Sequence, residues 1–112
     1  MKNTPENLQL LNRLAQLCEG TPYYIRVRKY DDGTLYMYSR IRDGAPKFTP
    51  ALAVGISPYN DDSFEIGVQF RGYGYMPIEN AHEILQRLHI AQHLAETLRS
   101  EIERAGYTVE PA

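Results

Sequence analysis

The spacing of apolar residues predicts a helix near the start of the chain. Leucine and other apolar side chains recur at three- and four-residue steps over residues 8–18, which is typical of a helix that buries one stripe. Thr4 followed by Pro5 fits an N-cap and the proline that is favoured at the first helical position. Gly20 then interrupts the pattern. We therefore predict a helix over residues 4–19.

Period-two alternation predicts two strands that pair as a hairpin. Residues 23–30 and 34–42 alternate between apolar side chains and mostly tyrosine or arginine side chains. A three-residue turn that ends at Gly33 places Val27 opposite Met37, so that apolar residues share one side of the hairpin. A two-residue turn would mix the two sides. The pattern therefore predicts both the turn and the register.

Two further alternating stretches and one long helical pattern follow. Residues 51–57 and 64–71 alternate with period two, and without a bulge the second strand continues to residue 75. Over residues 77–105, apolar side chains repeat in alternating steps of three and four, which predicts a helix of roughly eight turns.

These elements predict one α+β domain over residues 1–112. We expect a two-layer sandwich, with a four-stranded antiparallel meander over residues 22–75 and both helices on its apolar side (α-β-β-β-β-α). Residues 107–112 are predicted to form a tail. The predicted apolar side of the sheet consists of Ile25, Val27, Leu35, Met37, Leu52, Val54, Phe64, Ile66 and Val68.

Composition restricts the setting of the protein. Apolar residues make up 43% of the 112 residues, yet no apolar run approaches the roughly 18 residues of a membrane span. The first 20 residues lack the basic start and apolar centre of a secretion signal. The single Cys18 cannot form an internal disulfide, which fits a reducing compartment. We therefore expect a soluble cytoplasmic protein with no membrane partner.

Positively charged and aromatic side chains are both concentrated in the first hairpin. Residues 22–50 carry six bases and three acids, whereas residues 58–112 carry four bases and nine acids. The hairpin register puts tyrosine and arginine together on its water-facing side, and both residue types are enriched in binding hot spots. We define the hairpin face as these eight residues: Tyr24, Arg26, Arg28, Tyr30, Tyr36, Tyr38, Arg40 and Arg42.

Residues 71–78 (RGYGYMPI) extend this aromatic pattern. Arg71, Gly72, Tyr73, Gly74 and Tyr75 match the first five positions of the RNP1 octamer, so the segment resembles that motif of RNA-recognition motif domains. The resemblance implies that Tyr73 and Tyr75 stack on bases. It covers eight of 112 residues, and this chain opens with a helix where that family opens with a strand. We therefore assign no family and predict only that Arg71, Tyr73 and Tyr75 extend the hairpin face.

Catalytic and metal-binding patterns are weak in this sequence. There is no nucleophile elbow, no phosphate-binding loop and no dinucleotide-binding turn. His89 and His93 lie four residues apart on the predicted second helix, but two ligands are too few for a closed metal site. We predict no enzyme activity, no cofactor and no metal, and treat both histidines as solvated side chains. A metal-dependent enzyme is the least favoured alternative.

The favoured function is a non-catalytic binding module that acts through the hairpin face. The preferred partner is another protein, because the acidic chain and the small side chains of Ala51, Ala53 and Gly55 suit a flat interface. Such a module fits an adaptor or an inhibitor, for example a phage or mobile-element protein that blocks a host defence enzyme. The alternatives are a single-stranded nucleic-acid or nucleotide site, a homodimer through the same face, and a merely solvated sheet.

Overall fold

The computed structural model describes residues 1–69 and 78–111. Over these residues the chain is α+β, with two helices and five strands. The elements run in the order α1 (Pro5–Leu17), β1 (Tyr23–Lys29), β2 (Leu35–Ile41), β3 (Ala51–Ile56), β4 (Ser63–Gln69), α2 (Ile78–Arg104) and β5 (Thr108–Pro111).

The first helix begins and ends as its sequence predicts. The hydroxyl oxygen of Thr4 accepts a hydrogen bond from the backbone nitrogen of Asn7 (3.1 Å), and Pro5 occupies the first turn. Cys18 is the C-cap, and Gly20 takes a φ of 77°, a left-handed conformation that glycine adopts without strain. The predicted helix over residues 4–19 is therefore confirmed to within two residues at each end.

The first hairpin has the predicted register. β1 and β2 are antiparallel, and Val27 lies opposite Met37. Gly33 has a φ of 89°, as the three-residue turn requires. Asp32 stabilises this turn, because its carboxylate accepts hydrogen bonds from the backbone nitrogen (2.9 Å) and the hydroxyl (2.8 Å) of Thr34.

The predicted four-stranded meander is wrong, since the strands form two sheets, β1-β2 and β3-β4-β5. Between β2 and β3 the Ser39 hydroxyl donates to the carbonyl oxygen of Leu52 (2.5 Å) and accepts from the backbone nitrogen of Val54 (3.1 Å). At the end of the same gap, the backbone of Met1 exchanges two hydrogen bonds with Leu35 (2.7 and 3.0 Å). The Ser39 side chain and the Met1 backbone thus make hydrogen bonds that a backbone ladder between β2 and β3 would otherwise make.

The predicted tail over residues 107–112 is also wrong, because Thr108–Pro111 forms β5, parallel to β4. A parallel neighbour needs a crossover connection, and α2 supplies it. Gly106 (φ of 94°) turns the chain at the end of α2. The hydroxyl groups of Ser63 and Thr108 then lie 2.8 Å apart across the β4–β5 pair.

Both helices pack on the apolar side of the strands. The buried core joins Leu11 and Leu14 of α1 to Leu98 and Ile102 of α2. Six residues of the predicted apolar side are buried (Ile25, Leu35, Met37, Leu52, Val54 and Phe64), and the other three are partly buried against the core (Val27, Ile66 and Val68). Within the described residues, neither helix combines the length and apolar composition that crossing a bilayer requires.

Candidate binding surface

The hairpin face is assembled by the pairing of β1 with β2. In the observed register Arg28 lies opposite Tyr36, Arg26 lies opposite Tyr38, and Tyr24 lies opposite Arg40. The arginines of this face are exposed. Tyr24, Tyr36 and Tyr38 are partly buried, whereas Tyr30 is 54% exposed. The structure therefore brings these eight predicted site residues together on the side of the hairpin opposite its buried apolar residues.

Aromatic rings and guanidinium groups of the hairpin face contact one another. The rings of Tyr30 and Tyr36 stack with centroids 4.2 Å apart and planes 20° apart. The guanidinium carbon of Arg40 lies 4.9 Å from the ring centroid of Tyr38. Those of Arg26 and Arg42 lie 5.2 Å and 5.8 Å from the ring centroid of Tyr24. Such cation–π contacts stabilise exposed side chains by about 0.5–1 kcal/mol each and order the face.

Arg42 ties the hairpin face to the end of α1. Its Nε donates to the carbonyl oxygen of Thr21 (3.0 Å), and its Nη2 donates to the carbonyl oxygen of Cys18 (3.4 Å). Carbonyl groups at a helix C-terminus carry partial negative charge, so a cation is favourable at this position. Arg42 is therefore held at one end of the face.

The four arginines of the hairpin face form no ion pair within the described residues. Over residues 1–69 and 78–111, the ion pairs between side chains join Arg99 to Glu103 and Arg104 to Glu101, all on α2. Arg40 donates a hydrogen bond to the backbone carbonyl of Ser39 (3.3 Å), which carries no net charge. Among the described residues, none of the four guanidinium groups has a carboxylate within ion-pair distance, a state that favours an anionic ligand.

The charge changes sign across the open side of the two sheets. β3 presents Ala51, Ala53 and Gly55 there, all of them small and neutral, and Ala53 is exposed. Beyond it, Glu65 of β4 is the register partner of Glu110 of β5. The open side is therefore basic on the hairpin, neutral on β3, and acidic at the β4–β5 end.

A groove of about 560 Å³ lies beside the hairpin face. It runs between the last turns of α1 and the outer edge of β1, and its polar lining includes three hairpin-face residues and two acids. The residues around it are Ala15, Glu19, Tyr24, Ile25, Arg26, Arg42 and Asp43. The groove offers space for a ligand that contacts β1 from its edge.

Three predicted site residues, Arg71, Tyr73 and Tyr75, lie outside the described residues. Their proposed contribution to the hairpin face, and the stacking that the RNP1-like segment implies, stay predictions.

The candidate metal ligands and the cysteine show no arrangement typical of catalysis. His82, His89 and His93 are exposed on α2. Among residues 1–69 and 78–111, no three histidine, cysteine or acidic side chains are close enough to share a metal ion. Cys18 is fully buried, and burial raises the pKa of its thiol to about 11, although the nearby Arg42 charge lowers it. The buried thiol is therefore protonated at neutral pH, which is unfavourable for a nucleophile.

Sequence reasoning missed Ser39, the residue that connects the hairpin to the second sheet. The signal was present, because Ser39 is a polar residue at a core-facing position of β2, in line with Leu35, Met37 and Ile41. A part-buried hydroxyl at such a position needs hydrogen-bond partners. The alternation alone does not say that those partners are backbone groups of β3.

No protein-family model, no curated protein and no solved structure matches this chain.

Proposed function

We propose that this chain is a non-catalytic binding module that docks the hairpin face on an acidic surface of another protein, as an adaptor or an inhibitor does. The observation that carries the proposal is the set of four arginines without a carboxylate partner in the described part of the chain. Their side chains are interleaved with tyrosine rings on one side of one hairpin. Arginine and tyrosine are, with tryptophan, the residue types enriched in protein hot spots.

Order within the face supports tight docking. The Tyr30–Tyr36 stack and the guanidinium groups over Tyr24 and Tyr38 restrict side-chain rotamers before any partner arrives. Ordering a rotamer-rich side chain on binding costs about 0.5–1.5 kcal/mol. A face that is already ordered loses less of this free energy when it binds.

Single-stranded nucleic acid is the second candidate, because Tyr30 is 54% exposed and the arginines lack acidic partners. Two features favour protein over nucleic acid. The ring faces on which bases would stack already contact Tyr or Arg of the same hairpin. A phosphate backbone that crossed the open side would also approach Glu65 and Glu110, which repel it.

The proposal is tested by replacing Arg26 and Arg40 with glutamate in one variant. Capture from an extract of the source cells, followed by mass spectrometry, compares this variant with the wild type. The matched control is Lys2→Glu with Arg13→Glu, because both residues are exposed, lie off the hairpin face and give the same change in net charge. We expect a protein that binds the wild type and the control but not the hairpin variant.

Binding to oligonucleotides separates the two candidates. Phosphate-driven affinity falls steeply between about 50 and 200 mM salt, whereas a packed protein interface responds far less. We expect no oligonucleotide complex that requires Arg26 and Arg40 at either salt concentration. A salt-sensitive oligonucleotide complex that requires Arg26 and Arg40, with no protein captured, would replace the protein-docking proposal with the nucleic-acid one.

A further inference from the structure

β1 is an edge strand, and its outer edge has unpaired backbone groups. The bonds from Tyr30 to Thr34 (2.8 Å) and from Arg42 to Pro22 (2.8 Å) show that even-numbered residues of β1 turn their backbone groups toward β2. Residues alternate in this respect along an antiparallel pair, so the odd-numbered residues turn theirs outward.

The outward groups of Ile25 and Val27 have no hydrogen-bond partner within residues 1–69 and 78–111. The nitrogen of Tyr23 differs, because it donates to the Thr21 hydroxyl (3.2 Å), whose own proton goes to the Cys18 carbonyl (2.6 Å). The edge is therefore capped at Tyr23 and open from Ile25 onward. An open strand edge is a template for another strand.

The groove described above provides space at this edge. Ile25 lines the groove from β1, and Ala15 lines it from α1. The groove encloses about 560 Å³. A strand added to β1 would direct alternate side chains toward the helix side, near Ile25, and toward the open side, near Arg26 and Arg28.

Charge determines what can occupy the edge. Two copies of β1 paired antiparallel would bring basic residues together, because Arg26, Arg28 and Lys29 all lie on this strand. Like charges on paired strands are destabilising, and basic residues on an edge strand commonly prevent self-association. A segment with acidic side chains on the open side would instead pair with Arg26 and Arg28, which form no ion pair among the described residues. Because Glu19 and Asp43 line the groove, the side chains that enter it must be uncharged.

We infer that the partner of this protein adds an extended acidic segment to β1 as a further strand. The inference rests on the proposed function, since it specifies how the acidic partner engages the hairpin face. Acidic side chains of the added strand lie beside Arg26 and Arg28, and its alternate, apolar side chains enter the groove beside Ile25. Backbone hydrogen bonds form with Ile25 and Val27, which determines the register of the complex.

Amide hydrogen exchange tests the edge in the free protein. We expect the amides of Ile25 and Val27 to exchange faster than those of Arg26 and Arg28, because only the latter donate to β2. Equal protection of all four amides would overturn the inference, since the edge would then be closed.

The ligand test uses a peptide of alternating glutamate and valine with both termini blocked. NMR measures amide exchange of the protein with and without this peptide. We expect binding to slow exchange at Ile25 and Val27 by at least about tenfold, and to leave β5, whose Glu110 repels the peptide, unchanged. Replacing Arg26 and Arg28 with glutamate should weaken binding by at least about tenfold, while the Lys2→Glu, Arg13→Glu control binds normally.

A second peptide isolates the backbone contribution. N-methylation of the valines removes the donors that face β1 and should abolish the protection of Ile25 and Val27. If both peptides bind equally and the arginine variant still loses binding, strand addition is wrong while docking through the hairpin face stands. If neither peptide binds and no protein is captured in the preceding test, both proposals fail.

Discussion

The hydroxyl group of Ser39 donates a hydrogen bond to the carbonyl oxygen of Leu52 (2.5 Å) and accepts one from the backbone nitrogen of Val54 (3.1 Å). One side chain of β2 thus bonds the two groups of β3 that a ladder between these strands would use. Ser39 therefore links the β1–β2 hairpin, on which the candidate binding surface lies, to the second sheet.

Removing this hydroxyl should destabilise the protein. Ser39→Ala leaves the Leu52 carbonyl and the Val54 amide without their partner, and an unsatisfied buried group costs about 1–3 kcal/mol. We expect a decrease of that size in the free energy of unfolding, measured with urea. Ser100→Ala, an exposed site on α2, is the control and should change it by less than about 0.5 kcal/mol. Equal effects at both sites would show that Ser39 does not join the sheets.

The hydroxyl of Tyr23 should make the fold sensitive to alkali. Tyr23 is 1% exposed, its hydroxyl donates to the Pro50 carbonyl (2.6 Å), and burial raises its pKa to about 12. The unfolded chain ionises near pH 10, so the stabilisation is complete below pH 10 and is lost as pH rises toward 12. Tyr23→Phe should therefore be less stable than wild type at pH 8, and the difference should shrink at higher pH.

The matched control is Tyr59→Phe, because Tyr59 is 93% exposed. Urea unfolding at several pH values compares the three proteins. We expect Tyr59→Phe to follow the wild-type pH profile. A constant gap between Tyr23→Phe and wild type across the alkaline range would contradict the assigned pKa.

Arg42 should influence the acidity of the buried thiol. Burial raises the pKa of Cys18 to about 11, and the positive charge of Arg42 partly opposes that rise. Arg42→Gln removes the charge, so we expect a still higher pKa, measured from the ultraviolet absorbance of the thiolate. Arg13→Gln, at an exposed site on α1, should leave this pKa unchanged. A pKa that falls in Arg42→Gln would mean that the variant exposes the thiol.

The same thiol gives a second alkaline effect with a defined sign. Since the folded pKa is raised above its ordinary value of 9.0, the neutral thiol stabilises the fold below pH 9. That contribution is lost as pH rises from 9 toward 11. At neutral pH we expect slow alkylation of Cys18 in the native protein and fast alkylation in denaturant. Fast native alkylation would place the thiol at the surface.

The stacked rings of the hairpin face should be energetically coupled. Tyr30 and Tyr36 lie 4.2 Å apart between centroids, and such pairs contribute about 0.5–1.5 kcal/mol beyond their burial. A double-mutant cycle with Tyr30→Ala and Tyr36→Ala should give a coupling energy at the lower end of that range, because Tyr30 is half exposed. Tyr30 paired with Tyr59 is the control cycle and should give none. An absent Tyr30–Tyr36 coupling would contradict the preordered face.

The composition of the candidate surface was predictable because it depends on local periodicity. Side chains two residues apart on a strand share a face, and the choice of a three-residue turn set Arg26 opposite Tyr38. The contacts that hold the surface were not predictable from this pattern. Arg42 donates hydrogen bonds to carbonyl groups at the end of α1. One of these carbonyls belongs to Cys18, which lies 24 positions earlier in the sequence.

The sequence by itself determined α1, the register of the first hairpin and the apolar side of β1 to β4, because capping, turn geometry and period-two alternation each involve neighbouring residues. Only the tertiary structure decided that the Ser39 hydroxyl joins the hairpin to a second sheet and that residues after α2 form a parallel strand. The Ser39 bonds reach β3 across 13 and 15 positions, and the Ser63–Thr108 contact spans 45. Such long-range contacts depend on how the elements pack in three dimensions. The local periodicity of the sequence does not predict them.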